Sequence, residues 1–140
     1  MNMKILRGTV FGGISYFLLG WLVYGILLMD FMSANMDQCA ARPDGAMVWW
    51  AIIVSNLAAA LLLSLILNWS QAAGIADGLK TGAIFGCLFA VVIDFSTWSM
   101  TTMYNNIGPM LADIAVSTAL YAIVGMVIVL TWGKGKVDQK

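Results

Sequence analysis

The chain has 140 residues, of which 61% are hydrophobic and only 10% are charged, and its seven basic residues balance seven acidic ones. Soluble domains carry about 25% charged residues, so this composition excludes an ordinary soluble domain, and the zero net charge argues against a nucleic-acid partner. Four apolar runs are instead long enough to cross a bilayer, which takes about 20 helical residues.

The first two runs predict a pair of transmembrane helices. Residues 10–31 follow the basic start MNMKILRG. The apolar core of a signal peptide spans only about 7–15 residues, so we expect this longer run to be retained, with cleavage near MSANM as the alternative. Residues 48–68 are mostly aliphatic and carry Ser55 and Asn56 as a polar pair, and the turn-like stretch ARPDG precedes them.

The last two runs, residues 79–97 and 110–132, predict two closely packed helices. Around the third run, small residues recur at four-residue spacing and lead to an acid and an aromatic: Gly78, Gly82, Gly86, Ala90, Asp94 and Trp98. The fourth run has the same spacing in Asp113, Ser117, Tyr121 and Gly125. Small residues at this spacing let a neighbouring helix approach closely. We interpret these stripes as packing within the bundle, and a dimer interface is the alternative.

The basic residues predict an orientation. Six of the seven lie near the chain ends or at the start of the third run: Lys4, Arg7, Lys80, Lys134, Lys136 and Lys140. Only Arg42 lies in the other loops. Chain ends and short loops that carry Lys and Arg close to a transmembrane helix stay on the cytoplasmic side of the membrane, so we expect both termini to be cytoplasmic. Aromatic residues that include Trp49, Trp50, Trp98 and Tyr104 would then mark the outer boundary of the membrane.

The segments LLMDFMS and VVIDFST indicate a duplicated two-helix hairpin. Their aspartates, Asp30 and Asp94, are 64 residues apart, and each is followed by a loop and a further helix. Parallel repeats of this kind occur in transporters. Chance similarity between two hydrophobic helix ends is the alternative.

Three aspartates at the outer ends of the helices point to a binding site. An ionised aspartate in hydrocarbon costs about 2.5–3.5 kcal/mol or more. Apart from Lys80 at the far end of the third run, no basic residue lies within the four runs. Clustered carboxylates cannot all remain ionised in a low dielectric, so a proton or a bound cation has to supply positive charge. The candidate binding residues are Asp94, Asp113, Asp30, Asn56, Tyr24 and Thr97.

Simpler roles compete with this interpretation. Asp30 could reach the membrane interface, and Asp113 could cap the fourth helix just after Pro109. Seven of the ten methionines also lie on the outer side, and thioethers favour Cu(I). The residues of this copper alternative are Met29, Met32, Met36, Met100 and Met103. Methionine is more often a gap-filler, and the chain has no histidine to support a copper site.

The sequence disfavours an enzyme and indicates no cofactor. It has no histidine, no glutamate, no Cys-x-x-Cys and no glycine-rich phosphate loop. A carboxylate-only acid–base enzyme remains conceivable. Cys39 is expected to be a free thiol, with an intermolecular disulfide as the alternative.

The segments LLGWLVYGILL and GAIFGCLFAVV, together with the four short helices, resemble domain-of-unknown-function family 1761, whose members are uncharacterised bacterial inner-membrane proteins. The resemblance runs over most of the chain and implies a four-helix fold in the inner membrane. It implies no activity and no site residues.

Together these features predict an all-α, integral membrane bundle of four transmembrane helices, forming one domain over residues 1–140. We expect it to bind or transport a small cation, or a small molecule coupled to a proton, through an outward-facing pocket around Asp94. The alternative is a non-catalytic accessory or assembly protein that packs against a partner. Beyond the lipid bilayer, the expected partners are a second copy of the chain or a larger membrane complex.

Overall fold

The computed structural model describes residues 2–43 and 45–133, and within these ranges the chain is all-helical, with no β-strand. Four helices are long and apolar enough to cross a membrane: Met3–Leu27, Trp49–Trp69, Ile75–Met100 and Ile107–Thr131. The predicted all-α fold with four helices long and apolar enough to span a membrane is therefore confirmed. Lys134, Lys136 and Lys140 of the orientation argument lie outside the described residues, as does Asp44 of the ARPDG turn.

The described part of the chain forms five α-helices, because the first span is followed by a short extra helix. Helix α1 is Met3–Leu22, and a π-helical turn, Val23–Leu27, continues it. Helix α2, Met29–Asn35, begins after a break at Leu28. The remaining helices are α3, Trp49–Trp69, α4, Ile75–Met100, and α5, Ile107–Thr131.

Three of the four long helices begin earlier than the apolar runs predict because polar caps determine their starts, whereas α3 has no side-chain cap and begins at Trp49, one residue after the predicted start. Asn2 caps α1, so that helix begins at Met3 rather than at residue 10. Asp77 Oδ2 accepts a hydrogen bond from Gly74 N at 3.1 Å, and this capping interaction starts α4 at Ile75. Asn106 Oδ1 accepts from Gly108 N at 2.8 Å at the start of α5. Cap residues satisfy the free N–H groups of the first helical turn and need not be hydrophobic.

The tightest packing joins α4 and α5 through the predicted stripe of small residues. Every member from Gly78 to Asp94 is buried, whereas Trp98 is 43% exposed. A methyl group placed on Gly86 would lie 2.6 Å from the Ser117 carbonyl oxygen, so the two backbones are in direct contact. The stripe therefore serves packing within the bundle, as we predicted, and it ends at Asp94 rather than at Trp98.

Helix α5 lies at the centre, with α4 packed on one side and α1 on the other, and α3 packs on α1. Its buried residues Tyr121, Val124 and Ile128 form a core with Leu63 and Leu67 of α3. Many large apolar side chains on the outer faces are more than one-third exposed, as expected for surfaces that contact lipid. Four crossings place residue 3 and residue 131 at the same end of the bundle. We call the opposite end, formed by residues 28–43, 45–48 and 101–106, the methionine-rich end.

Candidate functional site

Asp94 is the most buried charged residue of the described chain. It is the last member of the buried stripe on α4, and it is 3% exposed. One carboxylate oxygen, Oδ1, accepts a hydrogen bond from the Tyr104 hydroxyl at 2.9 Å. The other, Oδ2, is buried and has no hydrogen-bond partner among the described residues. A buried carboxylate satisfied on only one oxygen is costly and indicates a missing proton or cation.

A paired loop holds Tyr104 over Asp94. Met36 and Tyr104 form an antiparallel bridge, and Asp37 N donates to Met103 O at 2.7 Å. Asn105 N donates to Asn35 O at 3.1 Å on the other side of the bridge. Burial raises the pKa of Tyr104 above its ordinary value, and the hydrogen bond to Asp94 raises it further. The phenol therefore remains protonated and acts as a donor.

Asp113 accepts a hydrogen bond from a second tyrosine hydroxyl, which comes from the turn that follows α1. The Tyr24 hydroxyl donates to Asp113 Oδ1 at 2.6 Å and lies 3.4 Å from Ser117 Oγ. Tyr24 belongs to the π-helical turn Val23–Leu27. Turns of this kind are rare inside α-helices and are frequent at functional sites. The sequence carries no proline that would have indicated the irregularity there.

Asp94 and Asp113 line a common cavity of about 250 Å³, which we call the carboxylate cavity. Their carboxyl groups are close enough to interact directly. The other polar groups around the cavity are all hydroxyls, from Tyr16, Tyr24, Ser117 and Tyr121, and no described Lys or Arg lines it. The arrangement therefore combines two carboxyl groups and several neutral donors without a built-in positive charge.

The remaining predicted site residues lie outside this cavity. Asp30 is exposed in the first turn of α2. Thr97 is half-buried, and its carbonyl oxygen accepts hydrogen bonds from Thr101. Asn56 lines a neighbouring cavity together with Tyr16 and Tyr24. The structure thus brings together Asp94, Asp113 and Tyr24, places Asn56 next to them, and separates Asp30 and Thr97.

Three of the five methionines of the copper alternative share a surface. Met29, Met32 and Met36 line a cavity of about 350 Å³, which we call the methionine cavity, together with Tyr24, Tyr104 and Asp113. Met100 is 83% exposed, and neither it nor Met103 lines this cavity. Among residues 2–43 and 45–133, no group of three or more His, Cys, Asp or Glu side chains could hold a metal ion.

Sequence reasoning did not assign Tyr104, Tyr16, Tyr121 or Ser117 to the site. It treated Tyr104 as an interfacial aromatic residue, although the residue is only 9% exposed. Ser117 and Tyr121 do belong to the predicted stripe on α5, about one and two helical turns from Asp113. Their position on the same helix face as Asp113 was the sequence feature that could have assigned them to the site.

Comparisons of the chain with protein-family models, with curated proteins and with solved structures give no match. The resemblance to domain-of-unknown-function family 1761 therefore stays a prediction, and function has to be argued from the site itself. The proposed duplication also stays a prediction. In the structure, LLMDFMS crosses the break at Leu28, whereas VVIDFST lies within the continuous helix α4.

Proposed function

We propose that this chain is a multi-pass inner-membrane protein that binds a proton or a small cation between Asp94 and Asp113, as a step in moving it across the membrane. In this proposal both termini are cytoplasmic and the methionine-rich end faces outward. The observation that supports it best is the buried Asp94 carboxylate, which has one unpartnered oxygen, a second carboxyl group beside it and no basic residue around the cavity.

The energetic argument rests on the cost of this arrangement. A buried polar atom without a partner costs about 1–3 kcal/mol, and more when it is charged. A neutral side chain would pack against α5 without that cost. A carboxyl pair, in contrast, can gain and lose a proton or bind a cation, which a neutral side chain cannot do. The carboxyl pair is therefore best explained by exchange of positive charge.

Access supports binding from the methionine-rich end. Tyr24 and Asp113 line both the carboxylate cavity and the methionine cavity, so the two cavities adjoin. The methionine cavity opens between exposed residues of α2 and the following loop, including Ser33 and Gln38. A cation could reach the carboxyl pair by this route without crossing the apolar core.

The experiment that tests the proposal is thermal unfolding of the purified protein in detergent, over a range of pH and with Na⁺, K⁺, Mg²⁺, Ca²⁺ or Cu⁺. A ligand at 100 times its dissociation constant stabilises the folded state by about 2.7 kcal/mol. We expect a stabilising ligand or a pH-dependent change in stability that Asp94→Asn removes. The matched control is Asp30→Asn, which removes an exposed aspartate and should leave the response intact.

The pH response has to be interpreted with the neighbouring titratable groups in view. Asp113 and Tyr104 face Asp94 directly, and Tyr16, Tyr24 and Tyr121 line the same cavity. A response retained in Asp94→Asn and lost in Asp113→Asn would move the binding role to α5. Stability that is unchanged by every ion and every pH, in all three proteins, would refute the proposal.

A second candidate function, an accessory protein that packs against a partner, is favoured by one observation. An apolar groove of about 420 Å³ runs along the outside of α4, where Ile84, Phe85, Leu88 and Val92 line it. A four-helix bundle is also small for a complete transport pathway, so the first proposal would itself involve a homodimer or a larger complex. Asp94→Asn should abolish cation binding and leave complex assembly intact under the first proposal, and the opposite result would favour the second.

A further inference from the structure

Five aromatic side chains line a third cavity, next to the carboxyl pair. This aromatic cavity has a volume of about 380 Å³, lies between α1 and α3, and is lined by Tyr16, Phe17, Trp21, Tyr24, Trp49 and Asn56, among others. Its volume falls within the range of about 300–1,000 Å³ that is usual for small-molecule sites. The space beside Gly20 is open, since a methyl group at that position would meet nothing within 4 Å.

The aromatic and carboxylate cavities share two residues. Tyr16 and Tyr24 line both, and the Tyr24 hydroxyl is 2.6 Å from Asp113 Oδ1. Asp94, whose Oδ2 is buried and has no hydrogen-bond partner among the described residues, lines the carboxylate cavity together with these two tyrosines. The carboxyl pair and the aromatic cavity therefore meet at Tyr16 and Tyr24.

This combination fits one class of cation better than the others. Hard metal ions need about six oxygen ligands in a compact shell, and the described residues provide no group of three or more acidic or metal-binding side chains. Organic cations are held differently, by aromatic faces within about 6 Å and by a nearby carboxylate. Their apolar substituents also gain from leaving water for a largely apolar cavity.

We propose that the cation recognised by the Asp94–Asp113 pair is an organic monocation with apolar substituents, of the quaternary ammonium or phosphonium class. Its charged centre lies near the carboxyl pair, and its apolar groups lie against the aromatic cavity. The inference rests on the proposed function and adds the substrate class. It also gives Trp21 and Trp49 a ligand-binding role, in place of a role only in an aromatic belt at the membrane interface.

The test is calorimetric titration of the purified protein in detergent with tetraphenylphosphonium, with the neutral triphenylphosphine oxide titrated in parallel. We expect saturable binding of the cation and no binding of the neutral compound. Asp94→Asn should abolish binding, and Asp94→Glu, which retains the charge, should preserve it. Raising the proton concentration should weaken the binding by competition for the carboxyl pair.

Adjacent tryptophans provide a matched control for the aromatic cavity. Both are largely exposed, Trp49 at 55% and Trp50 at 71%, but Trp49 lines the cavity and Trp50 does not. We expect Trp49→Leu to weaken tetraphenylphosphonium binding by about 2- to 30-fold, which is the range that cation–π energies allow, and Trp50→Leu to leave it unchanged. If Trp49→Leu does not fold, Trp21→Phe addresses the same cavity from α1.

The outcomes distinguish this inference from the function on which it rests. Absence of tetraphenylphosphonium binding, with an Asp94-dependent response to protons or inorganic ions retained, would overturn the substrate class and leave the proposed function standing. Loss of both signals would refute both. Equal weakening by Trp49→Leu and Trp50→Leu, or equal binding of the neutral compound, would show nonspecific association and overturn the inference.

Discussion

Replacement of Gly86 by alanine tests the helix contact on which the candidate site depends. An added methyl group at Gly86 would lie 2.6 Å from the Ser117 carbonyl oxygen, and ordinary contact begins at 3.4 Å, so α4 and α5 would have to separate locally by about 0.8 Å. Overpacking of this kind costs about 1–3 kcal/mol. The alanine itself contributes about 0.5–1 kcal/mol in a helix, which offsets part of that cost.

Gly20→Ala provides the control, because a methyl group there meets nothing within 4 Å. Its free energy of unfolding should change only by the helical gain of alanine over glycine. The difference in unfolding free energy between the two variants therefore measures the cost at the α4–α5 contact, which we expect to be about 1–3 kcal/mol. Unfolding by SDS in detergent micelles, followed through tryptophan fluorescence, measures both free energies. Equal stability of the two variants, to within about 0.5 kcal/mol, would mean that α4 and α5 are not in backbone contact and would refute the placement of Asp94 beside Asp113.

Three further predictions concern the loops at the methionine-rich end. Tyr104→Phe removes the donor to Asp94 Oδ1 and should lower the free energy of unfolding by about 1–3 kcal/mol in the same assay. In an Asp94→Leu background the same substitution should cost clearly less, because the acceptor is already absent. An equal cost in both backgrounds would show that the hydrogen bond contributes nothing. The neighbouring carboxylate of Asp37 raises the pKa of the exposed Cys39 thiol, so Asp37→Asn should speed its alkylation near neutral pH. A membrane-impermeant maleimide should label Cys39 on intact cells but not the Cys39→Ser variant; labelling only after lysis would contradict the proposed orientation.

The sequence predicted the parts of the fold that periodicity encodes. Hydropathy located four spans, and four-residue spacing identified the face of α4 that packs, including the burial of Asp94. Depth in the membrane could also be counted along each helix. Position around each helix could not be counted so reliably, because it depends on unbroken geometry. The π-helical turn and the break at Leu28 reset that geometry before Asp30, which therefore starts a new helix and is exposed.

The partners of the carboxyl groups could not be predicted because they come from tertiary contacts. Tyr104 reaches Asp94 only because its loop pairs with residues 35–37, which are far away in the sequence. Tyr24 reaches Asp113 across 89 positions of the chain, from a turn whose π-helical form has no sequence signature here. A single sequence gives no pairing information of this kind, and local propensity does not determine which loop closes over a site.

A layer of packed aromatic rings lies next to the carboxyl pair, and transport would require this layer to open. Tyr121 packs against Tyr16 and Phe85 with ring centroids 4.7 and 5.0 Å apart, and Phe85 stacks on Phe89 at 5.4 Å. Beyond this layer, toward the termini, lies the apolar core of Leu63, Leu67, Val124 and Ile128. Packed aromatic and aliphatic side chains therefore separate the carboxyl pair from the termini, whereas its cavity adjoins the methionine cavity at the other end. A protein that only binds its cation can keep this layer closed, whereas one that moves the cation has to open it. Repacking of Tyr121 against α1 and α4 is consequently the conformational change that the transport proposal entails.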